Sequence, residues 1–128
     1  MKNLIVDATR DKIFLTLIVS ENIYTCSHEN SKINFEKLMI LINDFLKVNS
    51  SSLDQIDVIY VNRGPGSFAG IRNSLATIKA LFLTKKTDYY CFSFDDFKES
   101  ETSKYADVPQ LCENYKIKKN LINPIYLS

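Results

Sequence analysis

The apolar positions of this chain fall into short runs separated by polar turns, and the runs change period along the sequence. Leu4-Ile5-Val6 is a short strand-like run that ends in Asp7-Ala8-Thr9-Arg10-Asp11. Ile13 to Val19 is rich in β-branched and aromatic residues and predicts a second strand. Glu21-Asn22 is a turn signal two residues wide, and Ile23 to Ser27 predicts the third strand of a meander. Lys32 to Asn49 predicts a helix. At 100° per residue, Phe35, Leu38, Met39, Ile42, Phe45 and Leu46 share one broad face, which should lie on the sheet. The opposite side carries Ile33, Ile40, Leu41 and Val48, interrupted by Lys37 and Asp44. A helix apolar on two sides packs against two things, either a second element of the same domain or a partner protein.

The polar loop Asn49-Ser50-Ser51-Ser52 and the connection Leu53 to Asp57 lead into Val58-Ile59-Tyr60-Val61, an apolar run suited to a strand buried on both faces. A second helix is predicted over Ile71 to Leu83. Ile71, Leu75, Ile78 and Phe82 form its sheet-facing stripe, and Gly70, Ser74 and Thr77 form a strip of small residues that continues to Leu81. That strip admits close approach by another helix, from this chain or from a partner. Asp88 to Ser93 predicts a further strand. Asp95 to Asp107 turns polar and reads as a flexible or short-helical connection. Leu111 to Ile122 has no clean period, and Pro124 to Ser128 reads as a closing strand.

Between the Val58–Val61 strand and the second helix lies Arg63-Gly64-Pro65-Gly66-Ser67-Phe68-Ala69-Gly70-Ile71-Arg72, which holds all three glycines of the chain. One reading is a strand-to-helix turn, with Pro65 fixing φ and Ser67 capping the helix. It predicts positive φ at Gly64 or Gly66. A second reading is a phosphate cradle built on helix N–H groups, with Arg63 or Arg72 supplying charge. The spacing is neither G-x-G-x-x-G nor a P-loop with Gly-Lys-Ser/Thr.

The 128 residues suffice for one domain with a single core, and a net charge of +1 provides no basic field to attract nucleic acid. Lys116, Lys118 and Lys119 read as solvated surface. Cys26, Cys91 and Cys112 are odd in number and widely spaced, which indicates free thiols rather than a disulfide framework. His28 is the only histidine, so no H-x-x-x-H metal motif exists and a metallopeptidase has almost nothing to build from. No metal and no cofactor are expected. No run approaches membrane-spanning length, and a cytoplasmic protein is expected.

RGPGSFAGIRNSLATIKAL closely resembles the signature of the TsaB (YeaZ) family, R-G-P-G-S-F-T-G-L-R-x-G-L-x-x-A-K-G-L. Asn34 to Met39 stands where that family has H-S-E-K/R-L-L, Leu53 to Val61 resembles L-x-x-L/I-D-x-I-x-V, and Pro124 to Leu127 resembles the closing P-x-Y-L-R. The resemblance runs from Met1 to about Phe97, and most of the family's second lobe has no counterpart. It implies an α/β fold: an actin-like ATPase (ribonuclease H-like) lobe, with a mixed five-stranded sheet and two long helices on one face. That lobe would span residues 1–97, with 98–128 as a short extension. In that superfamily an Asp at the end of the first strand begins a phosphate loop. Here Asp7 is followed by Ala8 and Thr9 rather than glycine, which weakens it as a nucleotide residue.

The resemblance further implies a non-catalytic subunit that supports tRNA threonylcarbamoylation and dimerises with a TsaD-like transferase. A TsaE-like ATPase would join the complex, a homodimer would form when the chain is alone, and tRNA would be met only through the complex. The docking surface expected on this basis comprises Ile33, Lys37, Ile40, Leu41, Asp44 and Val48 of the first helix. Gly70, Asn73, Ser74, Thr77 and Leu81 of the second complete it. The alternative is a small phosphate- or nucleotide-binding regulator that uses Gly64 to Gly70.

Overall fold

The computed structural model describes residues 1–98 and 104–126. Its centre is a five-stranded sheet in the order β3-β2-β1-β4-β5, built from β1 (Lys2–Asp7), β2 (Lys12–Val19), β3 (Asn22–Glu29), β4 (Val58–Asn62) and β5 (Asp88–Phe92). β1 pairs antiparallel with β2 and parallel with β4, and β4 pairs parallel with β5, so the sheet is mixed as expected. The meander turns at Ser20-Glu21 rather than one residue later. Ser20 takes φ 55, and Val19 pairs with Asn22 directly beyond it.

Alternation along the strands separates two cores. Leu4, Val6, Leu15, Leu17, Ile59, Val61, Tyr89 and Cys91 face one side, where Leu38, Ile42, Phe45, Leu46, Ile71, Leu75 and Ile78 cover them. Both predicted sheet-facing stripes are therefore correct, with Phe35, Met39 and Phe82 partly buried at their margins. The first helix is not continuous. It divides into α1 (Lys32–Glu36) and α2 (Leu38–Val48) at Lys37, whose φ of −102° and ψ of 11° leave the helical region. The backbone bonds Lys37 N–H to Ile33 O (3.1 Å) and Leu41 N–H to Lys37 O (2.9 Å) carry the chain through the break. Ser31 caps α1 by accepting from the Asn34 N–H. The second long helix, α3 (Phe68–Lys85), extends beyond both predicted ends, from its Ser67 cap to a left-handed Lys86 at φ 61.

The opposite sheet face is also covered. Ile5, Tyr60 and Phe92 pack there with Phe97, Val108, Leu111 and Cys112. Three of these come from α4 (Val108–Asn114), a helix in a stretch where the sequence shows no clean period. Its seven residues are too few to display one. The polar connection holds single helical turns at Phe94–Asp96 and Tyr105–Asp107, while its residues 99–103 lie outside the described set. Beyond α4 the chain rounds the β5 edge. Asn120 donates its N–H to Tyr89 O (2.8 Å), and its side-chain oxygen accepts from Tyr89 N (2.9 Å). The segment continues to Ile125, whose N–H donates to Arg63 O (2.7 Å). Residues 121–126 form no strand, and 127–128 of the expected closing strand lie outside the described residues.

Two expectations follow. A chain ended after Phe97 leaves Ile5, Tyr60 and Phe92 without α4. It should lose the sharp cooperative unfolding of the whole chain in calorimetry and bind a hydrophobic dye. A sharp transition in that fragment would show that residues 98–128 are dispensable to the fold. Burial raises the Cys91 thiol to about 11, the Cys112 thiol to about 12 and the Tyr60 phenol to about 12. Each folded-state value lies above the unfolded one, so the neutral forms are favoured by folding. That contribution is complete below the ordinary thiol and phenol values and declines as pH rises toward 11–12. The urea midpoint should drop between about pH 8 and about pH 10.5, and less steeply in Cys112→Ala.

Candidate functional site

The three parallel strands β1, β4 and β5 end side by side, and their ends carry Asp7, Asn62 and, just past β5, Ser93. Asp7 is fully buried. One carboxylate oxygen accepts from the Thr9 N–H (2.9 Å) and the Thr9 hydroxyl (2.7 Å). The other accepts from the Asn62 amide (3.0 Å) and the Tyr105 hydroxyl (2.6 Å). Arg10 lies 3.7 Å from that second oxygen and donates to the Tyr105 hydroxyl at 3.0 Å. A buried carboxylate is tolerable only with such satisfaction. Burial, then the Asp7 charge, pushes the Tyr105 phenol well above its ordinary value, so it remains a donor. Asn62 passes the order onward, because its side-chain oxygen accepts from the Gly64 N–H (2.9 Å).

The glycine stretch is closed against the chain's own backbone. Gly64 takes φ 112, as the turn reading expects of it or Gly66, and a Cβ there would strike the Ile125 carbonyl. Gly66 and Gly70 have ordinary φ but leave no room for a side chain. A Cβ would strike the Thr9 carbonyl at Gly66 and the Ala8 carbonyl at Gly70. The Ser67 N–H donates to Thr9 O (2.8 Å), and the Ser67 hydroxyl accepts from the Gly70 N–H (3.2 Å). The Gly64–Pro65 bond is cis. Arg63 is held by Asp96 (2.7 Å) and the Asn123 carbonyl (3.1 Å). Arg72 is exposed beside the returning chain at Ile122, Pro124 and Tyr126. What remains open is a concavity of 380 Å³ bounded by Thr9, Arg10, Asn62, Gly64, Ser93 and Tyr105, among others. Among the described residues no group of three His, Cys, Asp or Glu could hold a metal ion, and no helix is long and apolar enough to cross a membrane.

The expected docking residues divide. Ile33, Lys37, Ile40, Asp44 and Val48 are exposed on α1 and α2. Leu41 is not: it is half-buried against the core, in a groove with Cys26, His28 and Phe45. Gly70, Ser74 and Leu81 are buried, and Asn73 and Thr77 are half-buried. The small strip therefore serves approach within the chain: Gly70 meets the Ala8 backbone, and α3 lies beside α1 and α2. Asn73 and Thr77 turn polar atoms back to the helix, to Ala69 O (2.7 Å) and Asn73 O (2.8 Å). The outward side of α3 is instead Ala69, Arg72, Ala76, Ala80 and Leu83. Sequence reasoning also missed Tyr105 and Asn62, because a distant tyrosine in a polar stretch carries no local signal.

Gly70→Ala has no space to relax into. It should destabilise by about 1–3 kcal/mol, the range for overpacking a rigid contact, or more. Tyr105→Phe removes one donor from a buried carboxylate and should cost about 1–3 kcal/mol. Urea unfolding measures both, and an unchanged midpoint in Gly70→Ala would contradict the close approach.

A family model described as TsaD, tRNA N6-adenosine threonylcarbamoyltransferase, matches residues 28–93, more than half of the chain. A curated protein of Buchnera aphidicola subsp. Baizongia pistaciae (strain Bp) is 37% identical over 65 residues. It is called tRNA threonylcarbamoyladenosine biosynthesis protein TsaB, and the match covers 44% of this chain and 29% of that protein. The chain thus matches under a third of that relative's length. Two solved structures share the fold, one titled YeaZ from Pseudomonas aeruginosa and the other an uncharacterized protein with similarity to peptidase YEAZ from the same organism. Each gives a TM-score of 0.66 and 20% identity over 72% of this chain and 43% of the other. The sheet order and its helices are those of the actin-like (ribonuclease H-like) α/β fold. The family model spans the glycine stretch and both helical runs, so the chain belongs to the family that it describes, and the relatives named TsaB and YeaZ make it similar to a shortened member of that kind.

Proposed function

We propose that the chain is a non-catalytic partner subunit in tRNA threonylcarbamoyladenosine biosynthesis, dimerising with a TsaD-like transferase. The observation that carries this reading is the state of Asp7. Both of its oxygens are occupied by groups of the chain itself. The glycine stretch, which would have to cradle phosphate, is pressed against Ala8 and Thr9. A site arranged in this way stabilises a fold and offers little to a substrate.

The docking surface in this reading is the outward side of α1 to α3. Ile33, Ile40 and Val48 keep 63%, 56% and 82% of their surface exposed, and Leu83 lies exposed on α3. Lys37 and Asp44 add charge of both signs beside them. Two helices from a partner laid across this side could bury roughly 800 Å² per partner, a standard interface. A TsaE-like ATPase is the second candidate partner. In this reading tRNA is met through the complex.

Ile40→Glu tests the surface better than a change at Leu41, since Ile40 does not support the core. Captured with a TsaD-like protein by affinity purification, the variant should lose several kcal/mol of binding, on the order of 2–4 for a desolvated, unpaired charge. Its melting temperature should match that of the parent chain. Undiminished capture would mean that the partner face lies elsewhere. Calorimetric titration with ATP should give no heat. Saturable binding that disappears in Arg10→Ala would favour the nucleotide-binding regulator instead.

A further inference from the structure

On the far face of the sheet, Tyr60 and Tyr90 stand opposite each other in the parallel pairing of β4 with β5, and their rings stack at 5.3 Å and 12°. α4 lies beside them, and between the two is a second concavity of 440 Å³, whose wall includes Cys112, Glu113, Lys116 and Ile117. It shares no residue with the concavity at Asp7. Tyr60 keeps only 7% of its surface exposed. Its hydroxyl has no hydrogen-bond partner among the described residues. It is not enclosed as the unpartnered Tyr89 hydroxyl is, so it opens into the concavity. Burial first, then Cys112, Tyr90 and Glu113, raise the phenol to about 12. The group is therefore a donor at neutral pH, and the Glu113 carboxylate lies within electrostatic reach of it.

A buried hydroxyl without a partner is uncommon in a folded chain and calls for one from outside it. Two charges stand beside this one. Glu113 and Lys116 are exposed, and among the described residues neither forms an ion pair. Three residues apart on a continuous helix, they would attract each other. α4 ends at Asn114, however, and Lys116 takes φ 53, which removes it from helical spacing. An acid and a base are thus left separate on the wall of one pocket, with a phenol hydroxyl buried beneath them. The volume suits a small molecule rather than a segment of protein or nucleic acid. A simple anion would be repelled by Glu113 and a simple cation by Lys116. A ligand carrying both charges satisfies both.

We propose that this concavity binds a small zwitterion, a free α-amino acid, with its carboxylate toward Lys116 and the Tyr60 hydroxyl and its ammonium group toward Glu113. These residues lie outside both the Asp7 site and the helical docking surface, and the binding does not depend on the proposed function. An occupant would join α4 to β4 and β5 and stabilise the folded chain by mass action.

The probe is a panel of the common L-amino acids, each titrated into the full chain, with melting temperature and amide NMR shifts as readouts. At least one should raise the melting temperature saturably and shift the amides of Tyr90 and of Cys112 to Ile117. Its amide derivative lacks the carboxylate and its N-acetyl derivative lacks the ammonium charge. Each should bind about tenfold more weakly or worse. Lys116→Gln should erase the difference between acid and amide, and Glu113→Gln the difference between free and N-acetylated forms. Tyr60→Phe keeps the ring and removes a hydroxyl that has no partner in the chain, so it should fold as the parent does. It should weaken binding by about tenfold, the loss of one hydrogen bond to a charged group. A panel with no saturable member would overturn the proposal, as would binding whose strength and preferences survive in both Lys116→Gln and Glu113→Gln. Were Tyr60→Phe to unfold, those two exposed positions decide.

Discussion

Burying an ionised carboxylate obliges a protein to surround it with donors, and in this chain that obligation organises three parallel strand ends. Asp7 accepts from Thr9 beside it, from Asn62 across the sheet and from Tyr105 beyond the far-face core. Asn62 in turn fixes the Gly64 N–H, and Thr9 offers its carbonyl to the Ser67 N–H. The turn after β1 and the turn after β4 are thereby joined into one unit, with α3 starting directly from it. The glycines are needed because two backbones meet there with no space for a Cβ. The same contacts that fix the strand ends occupy the Gly64, Ser67 and Gly70 N–H groups.

The near-face core was legible in its main stripes. Periods of two and of about 3.6 place Leu4, Val6, Ile59 and Val61 opposite Leu38, Ile42, Ile71 and Ile78, and the structure keeps them there. What the pattern cannot distinguish is an apolar or small residue buried within the chain from one left for a partner. Ser74 and Leu81 looked like a docking strip and prove to be interior, while Ile33, Ile40 and Val48 looked the same and are exposed. Helical periodicity records that a face is apolar. It does not record how far around the helix its neighbours reach. Leu41 sits at that boundary, one position from exposed Ile40 and half-buried against the core.

The far face was the least legible part of the fold. α4 supplies three of its residues from a helix of seven, and of the aromatics beneath it Tyr60 belongs to a strand that read simply as doubly buried and Phe92 to one that read only as a further strand. The candidate site was legible in its glycine stretch and in Asp7. Its remaining members could not be found by spacing, because Tyr105 lies 98 residues from Asp7 and only the folded chain makes them neighbours.

That separation has a consequence for how the chain emerges from a ribosome. β1 and the turn that follows it are made well before the Tyr105 hydroxyl that completes Asp7 and the Ile125 N–H that binds Arg63. During synthesis the strand ends wait with a charged group only partly satisfied and with the Ile5 side of the sheet bare. Contacts spanning this much sequence form late, after their loop-closure entropy has been overcome. Until those residues emerge, the strand ends and the Ile5 side of the sheet carry the exposed apolar surface that makes an incomplete fold prone to aggregation.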